Sequence, residues 1–347
     1  MRICERTPGV FPYEWTDSFE KFELTHLPAQ ADFYSSLSEE HVSDSDYSFA
    51  QTIWSEFDMH TFQDYHNLYL LLDVLQLADV FTSYRETCYE HYKLDPANFF
   101  TSPALSWHAM LLKTGASIEL ISDPDTHQFI EQNVRGGVAV ASKRHVEANI
   151  PGTEEHNPDE SPCALAYLDA NNLYGFAMTQ RLPVGEMEWM DEGRRREVFG
   201  KDFEKIPLLD DDSERGYILE VDLSYPESTH DAHMDFPLAP EKMGVHPSML
   251  SAHQRATLAT NLGVPLDTLD SRVQNPLPKL VPNLFDKTRY GVDYRLLKLY
   301  VRLGLVITKI HRALEFEQTY WLRDYINFNT EQRAVARNAF EKVLFYI

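Results

Sequence analysis

Tyr167-Leu168-Asp169-Ala170-Asn171-Asn172-Leu173-Tyr174-Gly175 is the stretch around which the rest of the chain is read. The run before it, Cys163-Ala164-Leu165-Ala166-Tyr167-Leu168, has the length and apolar character of a buried strand. That strand would end on a single carboxylate, Asp169. Asn171, Asn172 and Gly175 then force a turn. A carboxylate fixed at the end of a strand and followed by a tight turn suits a divalent cation. The strand fixes the oxygen, and the turn aims backbone N–H groups at an anion held by the ion. Read locally, capping the turn is the more ordinary role for Asp169, because Asp is a default turn residue.

Composition sets the outer limits. With 347 residues, 43% hydrophobic and 12% aromatic, the chain has material for about two domains with real cores. No run of about 18 apolar residues exists, so no membrane span and no membrane partner are expected. The start, Met1-Arg2-Ile3-Cys4-Glu5-Arg6, lacks an apolar leader core, which points to an intracellular protein. Cys4, Cys88 and Cys163 are odd in number and far apart, fitting neither a disulfide framework nor a zinc site. The net charge of −23 is unfavourable for binding phosphates, but it is unevenly spread. Residues 1–240 hold 16 basic and 44 acidic side chains, whereas residues 281–347 hold eleven basic and seven acidic. The C-terminal part can therefore face nucleic acid while the acidic remainder faces solvent.

Along the chain, Gly9 to Tyr13 and Leu27-Pro28 read as extended loop, and Ser43-Asp44-Ser45-Asp46 as a helix start. Residues 64–91 form the strongest helical pattern, with Leu68, Leu71, Leu72, Leu75 and Ala78 as an apolar stripe. Asp73 sits at the edge of that stripe and, if buried there, needs a partner. Tyr69 lies four residues earlier on the same face. Residues 94–133 read as helices broken by proline turns, with Trp107 in the core. Arg135-Gly136-Gly137 permits close backbone approach and offers a guanidinium to a phosphate, with Lys143 and Arg144 as further contacts, or else forms a turn between domains. Val138–Ala141 reads as a strand, and strands are expected on both sides of the polar loop 149–162. Residues 186–215, with Arg194-Arg195-Arg196 and Asp210-Asp211-Asp212, read as a solvated insertion. Tyr217–Leu223 and Leu305–Ile310 read as strands, and Tyr294–Leu303 as a helix ending at Gly304. His230-x-x-His233 reads as a hydrogen-bonded structural pair. Asn329-Thr330-Glu331 reads as the cap of a last helix rich in Ala and Arg, with a solvated basic face.

The order of the letters adds a resemblance. Asp169-x-x-Asn172-Leu173-Tyr174-Gly175 resembles motif A of family B DNA polymerases, Asp-x-x-Ser-Leu-Tyr-Pro. The longer string from Tyr167 to Met178 is similar to the form found in protein-primed polymerases of Polinton/Maverick-type mobile elements. Tyr69-x-x-x-Asp73 resembles the third exonuclease motif of family B proofreading domains, and Asp73 stands 96 positions ahead of Asp169. Arg135-Gly136-Gly137 falls where that family has Tyr-x-Gly-Gly/Ala, with Val134 in the Tyr position. The likeness runs over residues 8–347.

The resemblance implies an α+β chain. Residues 1–133 would be the late part of a ribonuclease-H-like 3′–5′ exonuclease domain. Residues 134–347 would be a partial palm with an insertion at about 186–280 and the start of the fingers at about 281–347. It implies a DNA-directed DNA polymerase that acts in the nucleus, with primer–template DNA, dNTPs and a terminal priming protein as partners and Mg²⁺ as cofactor. Asp169 and Asp73 would be metal ligands, Tyr174 and Tyr69 catalytic-site side chains, and Arg135, Gly136 and Gly137 DNA contacts. Asn172, Leu173, Tyr174, Arg333 and Lys342 would bind the nucleotide. The chain departs from the pattern at Gly175, where Pro is usual. It also has no Asp-Thr-Asp motif, and the first two exonuclease motifs are expected upstream of Met1. A truncated chain without activity of its own is therefore expected. The other reading is a non-catalytic nucleic-acid-binding remnant.

Overall fold

The computed structural model describes residues 9–143 and 145–345; Cys4 and Arg144 lie outside them. The chain is mixed α+β and divides into two packed units between Lys113 and Thr114. Residues 114–133 therefore pack with the second unit, not with the first.

The first unit holds α1 (Asp44–Glu56), α2 (Phe62–Tyr92) and α3 (Ser102–Thr114). Ser43 caps α1 by accepting the Asp46 N–H at 3.1 Å, as its sequence implies. Asp64 receives the N–H groups of His60 and Thr61 at the start of α2. Ala50, Ile53, Met59, Phe62 and Tyr65 form the core, and the extended segment around Phe11 lies over it. Phe11 packs its ring on Phe62, Tyr65 and Tyr69 at 5.0–6.5 Å between centroids.

Two expectations fail in this unit. The stripe on α2 is buried only in part, at Leu68 and Leu72, while Leu71 and Leu75 are more than half exposed. Asp73 is exposed, so solvent meets the need for a partner that burial would have created. Trp107 is not core either. Helix α3 buries Leu105, Ala109 and Met110, which puts Trp107 on the other side at 53% exposure.

The second unit is built on an antiparallel sheet in the order β1-β6-β2-β5. After α4 (Pro124–Asn133) and the six-residue α5 (Leu173–Met178) come β1 (Leu182–Trp189), α6 (Glu192–Phe199) and β2 (Arg215–Ser224). Then follow α7 (His230–His233), β3 (Glu241–Met243), α8 (Ala252–Leu262), α9 (Leu269–Arg272), β4 (Lys279–Val281) and β5 (Lys287–Asp293). The chain continues through α10 (Tyr294–Arg302), β6 (Val306–Thr319), α11 (Arg323–Val335) and α12 (Ala339–Leu344). The period of two in β2 puts Tyr217, Leu219, Val221 and Leu223 on the core face. Tyr294, Leu297 and Tyr300 of α10 join the same core, spaced three apart on one helical face. Helix α10 begins with the Asp293 carboxylate accepting the Arg295 N–H at 2.8 Å and ends before Gly304 at φ +107°.

The strands expected at Tyr217–Leu223 and Leu305–Ile310 are present, the second as the longer β6. Other expectations are corrected. Cys163–Leu168 is not a strand: it touches Asn149 through one isolated bridge, and Tyr167 and Leu168 are almost fully exposed. Val138–Ala141 is not a strand, so no strand pair flanks the loop 149–162. An apolar run needs a hydrogen-bonding neighbour to become a strand. Among the described residues, none of the six strands pairs with these runs.

The stretch 186–215 is not a solvated excursion. It supplies part of β1, and it supplies Phe199 and Ile206, which are fully buried. Arg194 pairs with Glu315 of β6 at 2.8 Å, and Arg195 donates to the Ile310 and His311 carbonyls. Arg194 and Arg195, read as solvated by charge alone, are instead pinned to the sheet, while Arg196 stays exposed beside Glu192 of its own helix. Asn329 is not a cap: it is buried inside α11 and donates to the Tyr325 carbonyl at 3.0 Å. The cap of the last helix is Asn338, whose Oδ1 accepts the Glu341 N–H at 2.8 Å.

Candidate functional site

The segment 167–178 has its own local logic. Asn172 adopts the left-handed conformation, φ 55° and ψ 47°, which Asn tolerates better than most residues. From there its Oδ1 accepts the Gly175 N–H at 3.1 Å and opens α5. Gly175 is buried, and a Cβ there would collide with the Asn172 amide. Leu173 and Tyr174, in the first turn, point outward, and Tyr174 is 84% exposed.

The far end of α5 is anchored by groups that the sequence did not single out. Arg323 Nε donates to the Thr179 carbonyl at 2.9 Å, and its guanidinium lies 3.4 Å from the centroid of the Tyr320 ring. Arg181 lies against the same ring at 4.7 Å and pairs with Asp212 at 2.8 Å. Nothing in local spacing signals that Arg181 and Arg323, 142 positions apart, share one tyrosine.

Asp169 precedes this turn in irregular backbone and is exposed. Asp222, the acid on β2 that is the best alternative candidate to complete the site, is already engaged. Its Oδ1 accepts the Arg289 N–H and the His311 Nε2–H, each at 2.8 Å. The Arg289 amide, seconded by His311, holds the Asp222 carboxyl below the usual carboxylate range. Glu220, on the same strand face, is almost buried and accepts from Arg312 at 2.9 Å.

Tyr69 and Asp73 lie on α2 in the first unit. The Tyr69 hydroxyl is hydrogen-bonded to Tyr13 at 2.6 Å. Burial, seconded by that bond, pushes its ionisation upward, so it remains a neutral phenol. Arg135 donates to the Gly291 carbonyl at 2.7 Å and lies over the Tyr290 ring at 3.9 Å. Gly136 and Gly137 have negative φ and open space where a Cβ would stand, so their backbone does not demand glycine. Arg333 is exposed on α11 and Lys342 is exposed on α12.

His230 and His233 bracket Tyr225. The Tyr225 hydroxyl accepts the Leu238 N–H at 3.1 Å and lies 2.9 Å from His233 Nδ1. His230 Nε2 lies 3.2 Å from the Tyr225 carbonyl. This is the structural pair that the sequence suggested.

Among the described residues, no group of three or more His, Cys, Asp or Glu side chains is placed to hold a metal ion. A two-magnesium set needs several oxygen ligands converging on one point. Neither Asp169 nor Asp73 has such a set around it among the described residues, so neither, as placed, fits a pair of Mg²⁺ ions. Also among the described residues, no helix is long and apolar enough to cross a membrane. Compared with protein families, with curated proteins and with solved structures, the chain gives no match in any of the three.

Proposed function

We propose that this chain is of the protein-primed, family B type of DNA-directed DNA polymerase, with an exonuclease-like region in its first unit. The observation that carries the reading is the Asp169–Gly175 turn. Its letters resemble motif A, and its Asn172 cap holds the backbone so that Leu173 and Tyr174 face outward. In this reading the exposed Tyr174 ring lies under the sugar of a bound dNTP and excludes a 2′-hydroxyl. The Leu173 and Tyr174 amides turn toward its phosphates, and Asn172 sets the turn. Arg333 and Lys342 offer cations to the triphosphate. Asp169 and Asp73 are the carboxylates toward Mg²⁺ at the polymerase and exonuclease sites, with Tyr69 beside the second. Arg135, Gly136 and Gly137 lie along the primer strand. Primer–template DNA and a terminal protein are the macromolecular partners, and the nucleus is the place of action.

A second reading, a nucleic-acid-binding protein without catalysis, is favoured by one observation. Asp169 is exposed in irregular backbone, and Asp222 is committed to Arg289 and His311. The reading frame around the coding sequence separates the two. An in-frame Asp-Thr-Asp downstream supports the polymerase, and stop codons support the remnant. In a chain extended through that motif, Asp169→Asn should lower nucleotide incorporation by several orders of magnitude, because the amide keeps size and loses charge. Near-normal primer extension by that variant removes Asp169 from the site.

A further inference from the structure

A cleft of about 420 Å³ opens in the second unit between the segment after α4 and the corner where β5 turns into α10. The volume is in the range of small-ligand pockets. Its walls are largely apolar, with Tyr290, Leu296, Tyr300 and Phe316 among them, and two charged residues stand in them, Arg135 and Asp293.

Both charged groups are held in place. Arg135 is tied to the Gly291 and Asn133 carbonyls at 2.7 and 3.1 Å, with one guanidinium face on the Tyr290 ring. Gly291 leaves room for the Asn133 side chain, which a Cβ there would strike and whose Oδ1 also accepts from Arg135. The Tyr290 hydroxyl is fixed to the Pro240 carbonyl at 3.2 Å. Asp293 is positioned by the Arg295 N–H that it caps. A guanidinium stacked on one face keeps its second face for another planar group. An ionised carboxylate is acceptor-only and takes two parallel donors. Among the common bases, guanine alone presents two adjacent donors, N1–H and N2–H, on its pairing edge. Adenine and cytosine place an acceptor beside their amino group.

We propose that this cleft binds a guanine base, its ring stacked on the free face of Arg135 and its N1–H and N2–H donated to the Asp293 carboxylate. Burial raises the ionisation of Asp293, against the pull of the Arg295 and Leu296 amides that its carboxylate caps. The site is separate from the Asp169 turn and needs neither metal nor polymerase activity.

The test is equilibrium dialysis of the whole chain against guanosine, adenosine and cytidine, with circular dichroism as the fold check. Guanosine should bind at least tenfold more tightly than the other two. Asp293→Asn keeps the cap of α10, since Asn caps as well as Asp, and should abolish that preference. Leu296→Trp, at an exposed position in the wall, should block every nucleoside without disturbing the core. A guanine-bearing single-stranded oligonucleotide that displaces guanosine marks a base within a strand as the natural ligand, and one that does not marks the free nucleoside. Absence of guanosine binding, equal binding of all three nucleosides, or full guanosine preference in a folded Asp293→Asn variant overturns the assignment.

Discussion

Asn172 and Gly175 are made for each other: the Asn172 side chain accepts the Gly175 N–H and occupies the space that a Cβ on residue 175 would need. This explains the glycine where the resembling motif has proline. Proline has no N–H to donate, and its ring would strike the Asn172 amide. Gly175→Pro should therefore unravel the first turn of α5, and Gly175→Ala should strain it. Asn172→Ala should cost about 1 kcal/mol, the worth of a helix cap. Hydrogen exchange of the amides of α5 checks this. Unchanged protection in Gly175→Pro would refute the capping arrangement.

Arg323 fixes the other end of α5 through the Thr179 carbonyl and shares Tyr320 with Arg181. Arg323→Ala should loosen that end by on the order of 1 kcal/mol, the net worth of a charge-assisted hydrogen bond with part of its stacking. Arg323→Lys should restore little, because an ammonium cannot both lie flat on the ring and reach the carbonyl. Faster exchange of the amides near Thr179 in both variants, with β2 and β6 unchanged, is the expected result.

Legibility in the sequence followed how local the cause was. Ser43 capping α1, the alternation of Tyr217 to Leu223 and the helix from Tyr294 ending before Gly304 are fixed by neighbours in the chain, and each was readable there. The failures are residues whose state depends on a distant partner. Val138–Ala141 and Cys163–Leu168 have strand letters but no strand beside them. Arg194 and Arg195 have solvent letters, yet Glu315 and the Ile310 carbonyl fix them more than 110 positions away. At the candidate site the turn was legible from Asn171, Asn172 and Gly175. Its anchorage by Arg323 was not, nor was the commitment of Asp222 to Arg289 and His311.

Asp222 carries a pH dependence whose sign follows from its lowered ionisation. A carboxyl with a folded pKa below its unfolded value stabilises the fold above the unfolded pKa and stops doing so as pH falls through the folded one. Asp222→Asn should therefore be less stable than the parent chain at pH 7. The gap should close as pH drops below the ordinary Asp value of 3.8. Urea unfolding at pH 7, 5 and 3 measures it, and a gap that widens toward pH 3 would contradict the assignment.

The basic excess over residues 281–347 should bind primer–template DNA weakly and with a steep dependence on salt. Arg333, Arg337 and Lys342 are exposed on or beside α11 and α12. Reversing all three to Glu should remove most of the affinity. It should also flatten the log–log salt slope by about one unit for each phosphate that is no longer neutralised. A filter-binding titration with unchanged affinity would rule this surface out.

The strongest expectation concerns chemistry: residues 1–347 as they stand should neither extend a primer nor degrade one. In-line phosphoryl transfer with two metal ions needs carboxylates close together to hold both. Mg²⁺ parts with its waters reluctantly, so a solitary carboxylate binds it weakly. Asp169 is exposed and has no acidic cluster around it among the described residues, and Asp73 on α2 stands in the same condition. Asp222, on strand β2, is the best candidate to rescue Asp169, yet its Oδ1 accepts from both Arg289 and His311. Recruiting it to a metal would mean giving up those bonds on β2. The assay is a labelled primer–template with Mg²⁺ or Mn²⁺ and all four deoxynucleotides, run beside an Asp169→Ala, Asp222→Ala double variant. Equal signal in the two is expected. Incorporation by the parent chain above the double variant would mean that Asp222 leaves its strand partners to complete the site.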